Sequence, residues 1–277
     1  MSGGLVFAAV APHGHLAIPE ACSEDERGLA TGTQQAMVEP GRRFADARPE
    51  VTIVFTSHNV HAAGHLAVVV AGKLAGSLSR WTQASIELQC KTDRDLAAAL
   101  IGAFHNAGLS AVGVSYGGNE PATATADLDW GALIPLWFMG GRAQPAVSVV
   151  VACPARELSA EAHVRAGQAL AALATASGKR VALIASADHG HRHRADGPYG
   201  YDSAAHDYDQ RIVDLVRENR LAGLLDLDPA LVSAAVADSY WQMPILHGAL
   251  GMSWRGELLS YEAPTYFGML CASYVLA

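Results

Sequence analysis

The run Val181-Ala182-Leu183-Ile184-Ala185-Ser186 passes without a break into Ala187-Asp188-His189-Gly190-His191-Arg192-His193. Five uncharged apolar residues closed by a serine fit a strand buried on both faces, as a sheet sandwiched between helices requires. The histidine-rich turn that follows lies where such sheets collect ligands, beyond the carboxyl end of a strand. Two other runs have the same form. Residues 5–10 lead into Ala11-Pro12-His13-Gly14-His15, and residues 51–56 into Ser57-His58-Asn59-Val60-His61. Three strands therefore predict histidines gathered at one edge of a sheet, whereas a core histidine more often sits inside an element.

Outward from these runs, residues 111–115 and 147–152 read as further buried strands. Helical spacing places Leu96, Leu100 and Phe104 on one face of residues 93–106. It does the same for Ala166, Leu170 and Leu173 within 159–177, where Ser159 and Glu161 suit a helix start and Gly178 a helix end. Ile212, Leu215 and Val216 mark a third helix over 209–219, and 257–276 reads as a strand, a turn at Pro264 and another strand. Alternating strands and helices predict an α/β fold, a mixed central sheet with helices on both faces. No linker, repeat or low-complexity tract divides the chain, so one domain over 1–277 is expected.

Composition narrows the function classes. Of 277 residues 51% are hydrophobic and only 17% charged, with a net charge of −8 and no basic run, which argues against nucleic acid as a partner. The apolar start lacks a basic leader region, and no apolar stretch reaches membrane-spanning length. Cys22, Cys90, Cys153 and Cys271 are scattered, which fits a reducing cytoplasm rather than a disulfide framework or a thiolate zinc site. The apolar content allows an oligomer of this chain, alone or with a related subunit. Twelve histidines stand against three lysines. Two neutral imidazoles and one carboxylate can hold a divalent metal on one face, leaving positions for substrate and O2, and a further histidine can move protons. The same ligands suit Fe(II) or a catalytic zinc.

The ordered set of motifs resembles the LigB-like class III extradiol dioxygenases. Pro12-His13-Gly14 with Ile18-Pro19-Glu20 is similar to that family's PHG…IPE opening, and Thr56-Ser57-His58 to its second strand-end histidine. Ser186-Ala187-Asp188-His189-Gly190-His191 resembles its SGDLSH or SADLAH turn, and Gly197-Pro198-Tyr199-Gly200-Tyr201-Asp202 the stretch after it. Leu128-Asp129-Trp130-Gly131 with Pro135-Leu136 resembles its DHG…VPL segment, and Gly248-Ala249-Leu250 its GAL.

The resemblance implies a LigB-like fold and Fe(II)-dependent cleavage of a catechol- or aminophenol-type ring with O2. It implies His13 and His58 as iron ligands, His191 as the acid–base histidine, and a carboxylate shortly before GAL as third ligand. Glutamate is absent there, so Asp238 is the expected ligand, with Glu257 and Glu262 as fallbacks. Trp130 replaces a histidine, offering one N–H donor and a flat wall but no acid–base function. His189, Tyr199, Tyr201, His15 and His61 are the other expected substrate-side residues. His189 and His193 compete with His191 for the acid–base role, and Glu20 is a candidate to orient His15. His65, His105, His163, His206 and His247 are read as helical packing or surface residues. The alternatives are a zinc hydrolase on the same ligands and a non-catalytic LigB-like subunit or binding protein.

Overall fold

The structure, a computed structural model, describes residues 3–277. In chain order its strands are β1 (Gly4–Ala11), β2 (Val51–Phe55), β3 (Leu66–Val69), β4 (Lys73–Ser77), β5 (Glu87–Lys91), β6 (Ala111–Val114), β7 (Thr125–Asp127), β8 (Ser148–Cys153), β9 (Arg180–Ser186), β10 (Trp254–Glu262) and β11 (Met269–Leu276). The helices are α1 (Thr31–Ala36), α2 (Val38–Ala47), α3 (Arg94–Asn106), α4 (Trp130–Phe138), α5 (Ala160–Ala176), α6 (Ser203–Arg217), α7 (Pro229–Ala235) and α8 (Gln242–Leu250). Eight strands form the central sheet in the order β10-β11-β1-β9-β2-β8-β3-β6, and β5-β4-β7 form a small second sheet. Pairing is parallel through β1, β9, β2 and β8 and between β3 and β6, and antiparallel at β10/β11, β11/β1 and β8/β3. The sheet is thus mixed.

Side chains alternate along each inner strand, and each set joins a different core. Ala8, Val10, Ile53, Phe55, Leu183 and Ala185 pack with α3, α5, α6 and α8. Phe7, Ala9, Val54, Ala182 and Ile184 pack on the opposite face with Phe44 of α2, Leu133 of α4 and the small sheet. Helix starts follow local chemistry. Asp93 caps α3 through the Leu96 N–H, Ser159 caps α5 through the Ala162 N–H, and Asp129 caps α4 through the Ala132 N–H. Gly178 takes a φ of +68° just past α5, a conformation glycine adopts without steric cost. Helices α5 and α8 meet backbone to backbone, because a methyl group at Gly167 would collide with the Ile245 carbonyl and one at Gly248 with the Val164 carbonyl.

Two readings change in detail. Helix α6 begins at Ser203, not near residue 209, because Asp202 caps it and buried Tyr208 extends its apolar face. His65 lies outside any helix, in a tight bridge with Ala62 just before β3. The small sheet and the buried helix α4 were not anticipated as elements. No helix of the structure is long and apolar enough to cross a membrane.

Candidate metal centre

Strands β1, β9 and β2 are adjacent and parallel, so their carboxyl ends open onto one place. His13 follows β1 by two residues, Asp188 follows β9 by two, and His58 follows β2 by three. The loop between α7 and α8 brings Asp238 to the same point. His13 Nε2 lies 2.9 Å from His58 Nε2 and 3.3 Å from Asp238 Oδ2, and His58 Nε2 lies 3.6 Å from Asp238 Oδ2. Ligand atoms of these three residues all fall within 4.8 Å of one another. Asp188 Oδ2 stands beside them, 3.4 Å from His13 Nε2.

Neighbouring groups set how each donor is presented. The Ser186 hydroxyl donates to the Gly131 carbonyl, so its oxygen is left to accept the His13 Nδ1–H at 3.0 Å. That fixes the tautomer of His13 with the Nε2 lone pair facing the cluster. The Thr56 hydroxyl donates to Asp129 Oδ1 at 2.9 Å and accepts the His58 N–H at 3.2 Å, which ties the His58 turn to the start of α4. Gly131 sits beneath, since a methyl group there would lie 3.2 Å from His58 Cδ2 and 2.8 Å from Asp129 Oδ1. Ser57 donates to Asp238 Oδ1 at 2.6 Å, and Arg156 Nη2 lies 3.7 Å from the same oxygen. The other oxygen, Asp238 Oδ2, is buried without a hydrogen-bond partner. A buried carboxylate oxygen left open beside two imidazole nitrogens is costly unless a cation completes it. The residues therefore fit a divalent metal.

The electrostatics agree. Burial, with His58 nearby, lowers His13 to about 3 and keeps it neutral. Burial opposes charging of His58 too, but the attraction of the Asp238 carboxylate, its Oδ2 3.6 Å from His58 Nε2, outweighs this and raises its pKa. Burial would raise Asp238, yet the two imidazoles beside it and the Ser57 hydrogen bond hold it well below the usual carboxylate range. Asp188 is pushed up to about 8, chiefly by burial, although the His13 N–H donates to its Oδ1 at 3.0 Å.

A cavity of about 230 Å³ opens on these groups. Trp130, tilted over His58 with ring centroids 4.5 Å apart, forms one wall. Phe267 and Tyr266 form another, and Gly14 leaves room for the Phe267 ring. His191 lines the cavity, stacked on Phe267 at 5.6 Å. Its Nδ1–H donates to the His189 carbonyl at 2.6 Å, so Nε2 carries the lone pair. Burial lowers its pKa, which keeps it a neutral base. The turn carrying it is pinned by the His191 N–H to the Ala235 carbonyl and by buried Asp209, which accepts from the Gly190 N–H and His193 Nε2.

The expected residues divide by position. His13, His15, His58, Trp130, His191 and Tyr199 line the cavity. His15 Nε2 pairs with Glu26 Oε1 at 3.0 Å, so Glu26 and not exposed Glu20 orients it. His61 points to the surface, 2.7 Å from Glu157, because three residues of turn carry it away from His58. Tyr201 is exposed outside the cavity. His189 is buried beneath the turn, its Nδ1 on the Ser239 hydroxyl, and does not line the cavity. His193 is spent on Asp209. Glu257 pairs with Arg43, and Glu262 accepts the Thr33 N–H, so neither fallback carboxylate is at the cluster. Asp188, Tyr266, Phe267 and Trp81 line the cavity without having been singled out. Only Asp188 carried a signal, as the acid directly after a buried strand.

Fold and donor set together define the class, an α/β protein with a two-histidine, one-carboxylate candidate metal centre at its sheet edge. Residues 8–272 match the family of the catalytic LigB subunit of aromatic ring-opening dioxygenase, and the chain belongs to that family. It is 23% identical over 252 residues to Protein CA_C1420 of Clostridium acetobutylicum, covering 91% of this chain and 53% of that one. The chain thus spans about half the length of the curated relative it matches. A crystal structure of uncharacterized protein JW3007 from Escherichia coli K12 shares the fold, with a TM-score of 0.59, 17% identity, and coverage of 97% of this chain and 99% of that chain.

Proposed function

We propose that this chain is a non-haem Fe(II)-dependent extradiol dioxygenase that opens a catechol- or aminophenol-type ring with O2. The convergence of His13 Nε2, His58 Nε2 and the open Asp238 Oδ2, with His191 on the same cavity, carries this reading. These three residues would hold the metal. Fe(II) bound there would supply the open positions and the redox partner that let O2 react with an aromatic diol.

The chain's own groups do the rest. Trp130 and Phe267 present flat faces that hold an aromatic ring beside the donors. His191 Nε2 takes the proton from a substrate hydroxyl or amine and returns it to an oxygen as the ring opens. The Ser186 hydroxyl keeps the His13 lone pair directed at the cluster. Ser57 and Arg156 orient Asp238. We further propose one domain over the chain, a cytoplasmic setting suited to its four free cysteines, and assembly as an oligomer of this chain or with a related subunit.

The test is anaerobic reconstitution with Fe(II), then O2 with a panel of catechols and aminophenols. Stoichiometric oxygen uptake with a new yellow chromophore is expected. Iron-loaded protein that consumes no O2 with any of them would refute the reading.

A further inference from the structure

The walls of the metal cavity differ in charge from what a carboxylated ring would need. Among its described lining residues there is no lysine or arginine. Of its histidines, His13 and His58 belong to the metal cluster, His15 is committed to Glu26, and burial keeps His191 neutral. Arg156 is engaged with Asp238 and does not line the cavity. The single acid among those lining residues, Asp188, is 3% exposed and stands beside His13 at the cluster.

The surroundings continue this pattern. Trp81 and Trp130, with ring centroids 5.3 Å apart, also line a neighbouring cleft of about 820 Å³. That cleft carries one cation, Arg80, against three acids, Glu87, Asp127 and the buried Asp129. A ring carboxylate entering the cavity would lose its water and gain no lysine or arginine partner, which is unfavourable whatever holds the diol end. An alkyl group meets aromatic walls, and an ammonium reaching the neighbouring cleft meets more acids than cations. The cavity of about 230 Å³ suits a single ring.

We propose that the substrate is a single-ring catechol or aminophenol whose remaining substituent carries no negative charge, an alkyl or alkylammonium group and not a carboxylate. This rests on the ring-opening reading above and narrows it. The test uses protein reconstituted anaerobically with Fe(II), with iron content measured first, and calorimetric titration without O2. The probes are 4-methylcatechol, dopamine and 3,4-dihydroxybenzoate. The first two are expected to bind at least tenfold more tightly than the third. Tyr199 is half exposed at the cavity mouth, so Tyr199→Arg supplies the missing cation without disturbing the core. It should tighten 3,4-dihydroxybenzoate at least fivefold and leave dopamine no tighter. If 3,4-dihydroxybenzoate binds the native protein as tightly as 4-methylcatechol, the charge inference falls and the ring-opening reading stands. If none of the three binds the iron-loaded protein, both fall.

Discussion

Replacing Gly131 by alanine would put a methyl group against Thr56, Asp129 and His58 of the candidate centre. Its Cβ would lie 2.8 Å from Asp129 Oδ1 and 3.2 Å from His58 Cδ2, and closer still to the Thr56 hydroxyl, where ordinary contact begins at 3.4 Å. Relief needs Asp129 to move by about 0.6 Å and Thr56 by more, in a region packed near crystal density. Thr56 and Asp129 hold the His58 turn, and the Gly131 carbonyl receives the Ser186 hydroxyl that fixes His13. One methyl group therefore disturbs both imidazoles. Overpacking of this kind costs about 1–3 kcal/mol of stability. Loss of ligand-orienting hydrogen bonds lowers metal affinity about 10–100-fold. Thermal unfolding of the apoprotein and anaerobic Fe(II) titration, run side by side on Gly131→Ala, read the two effects. Native metal affinity in a folded variant would refute the claim that these hydrogen bonds orient the ligands.

Other substitutions separate roles. His191→Gln should keep its iron and lose about 10²–10⁴-fold in turnover, because only the proton transfer is removed; unchanged turnover with iron in place would reject that role. Val236, a β-branched residue at φ +50° two positions before Asp238, holds a conformation that Asn adopts more readily. Val236→Asn should raise the urea midpoint of the apoprotein, and a lowered midpoint would show that the valine side chain matters more than its backbone. Acid stability follows from His189, which burial lowers to about 4. The unfolded chain takes up this proton below about pH 6.5 and the folded chain does not. The contribution is therefore full above that pH and is lost as pH falls toward 4, by about 3 kcal/mol in all. Urea unfolding of the apoprotein between pH 7 and 4 should show this slope, and His189→Gln should flatten it; equal slopes would reject the assignment.

Much of the site was legible because its parts stand at strand ends. Strands β1, β2 and β9 are apolar runs that pass directly into His13, His58 and the 187–193 turn, and adjacency of the three strands does the rest. Asp238 was reachable only through its place before Gly248-Ala249-Leu250. Other features left little trace. Helices α4 and α8 are buried nearly all round, so they show no apolar stripe of helical period. Strand β7 is three residues long, and β4 and β5 pair locally with half their residues exposed. Phe267 and Tyr266 reach the cavity from the hairpin between β10 and β11, far along the chain from any histidine turn. Gly131 and Ser186 act through a close approach and a single hydroxyl, which one sequence does not distinguish from ordinary packing. His61 fails to follow His58 inward because a short turn, unlike a strand, does not repeat direction.

The most direct measurement is anaerobic Fe(II) titration of the apoprotein and of His13→Ala, His58→Ala and Asp238→Ala, with Glu262→Ala as the control carboxylate. The native chain and the Glu262→Ala variant should each bind one equivalent, and each of the three cluster variants, shown folded by circular dichroism, should bind at least 100-fold more weakly. Native-like iron binding by any one of those three would contradict the shared centre on which the proposed chemistry depends.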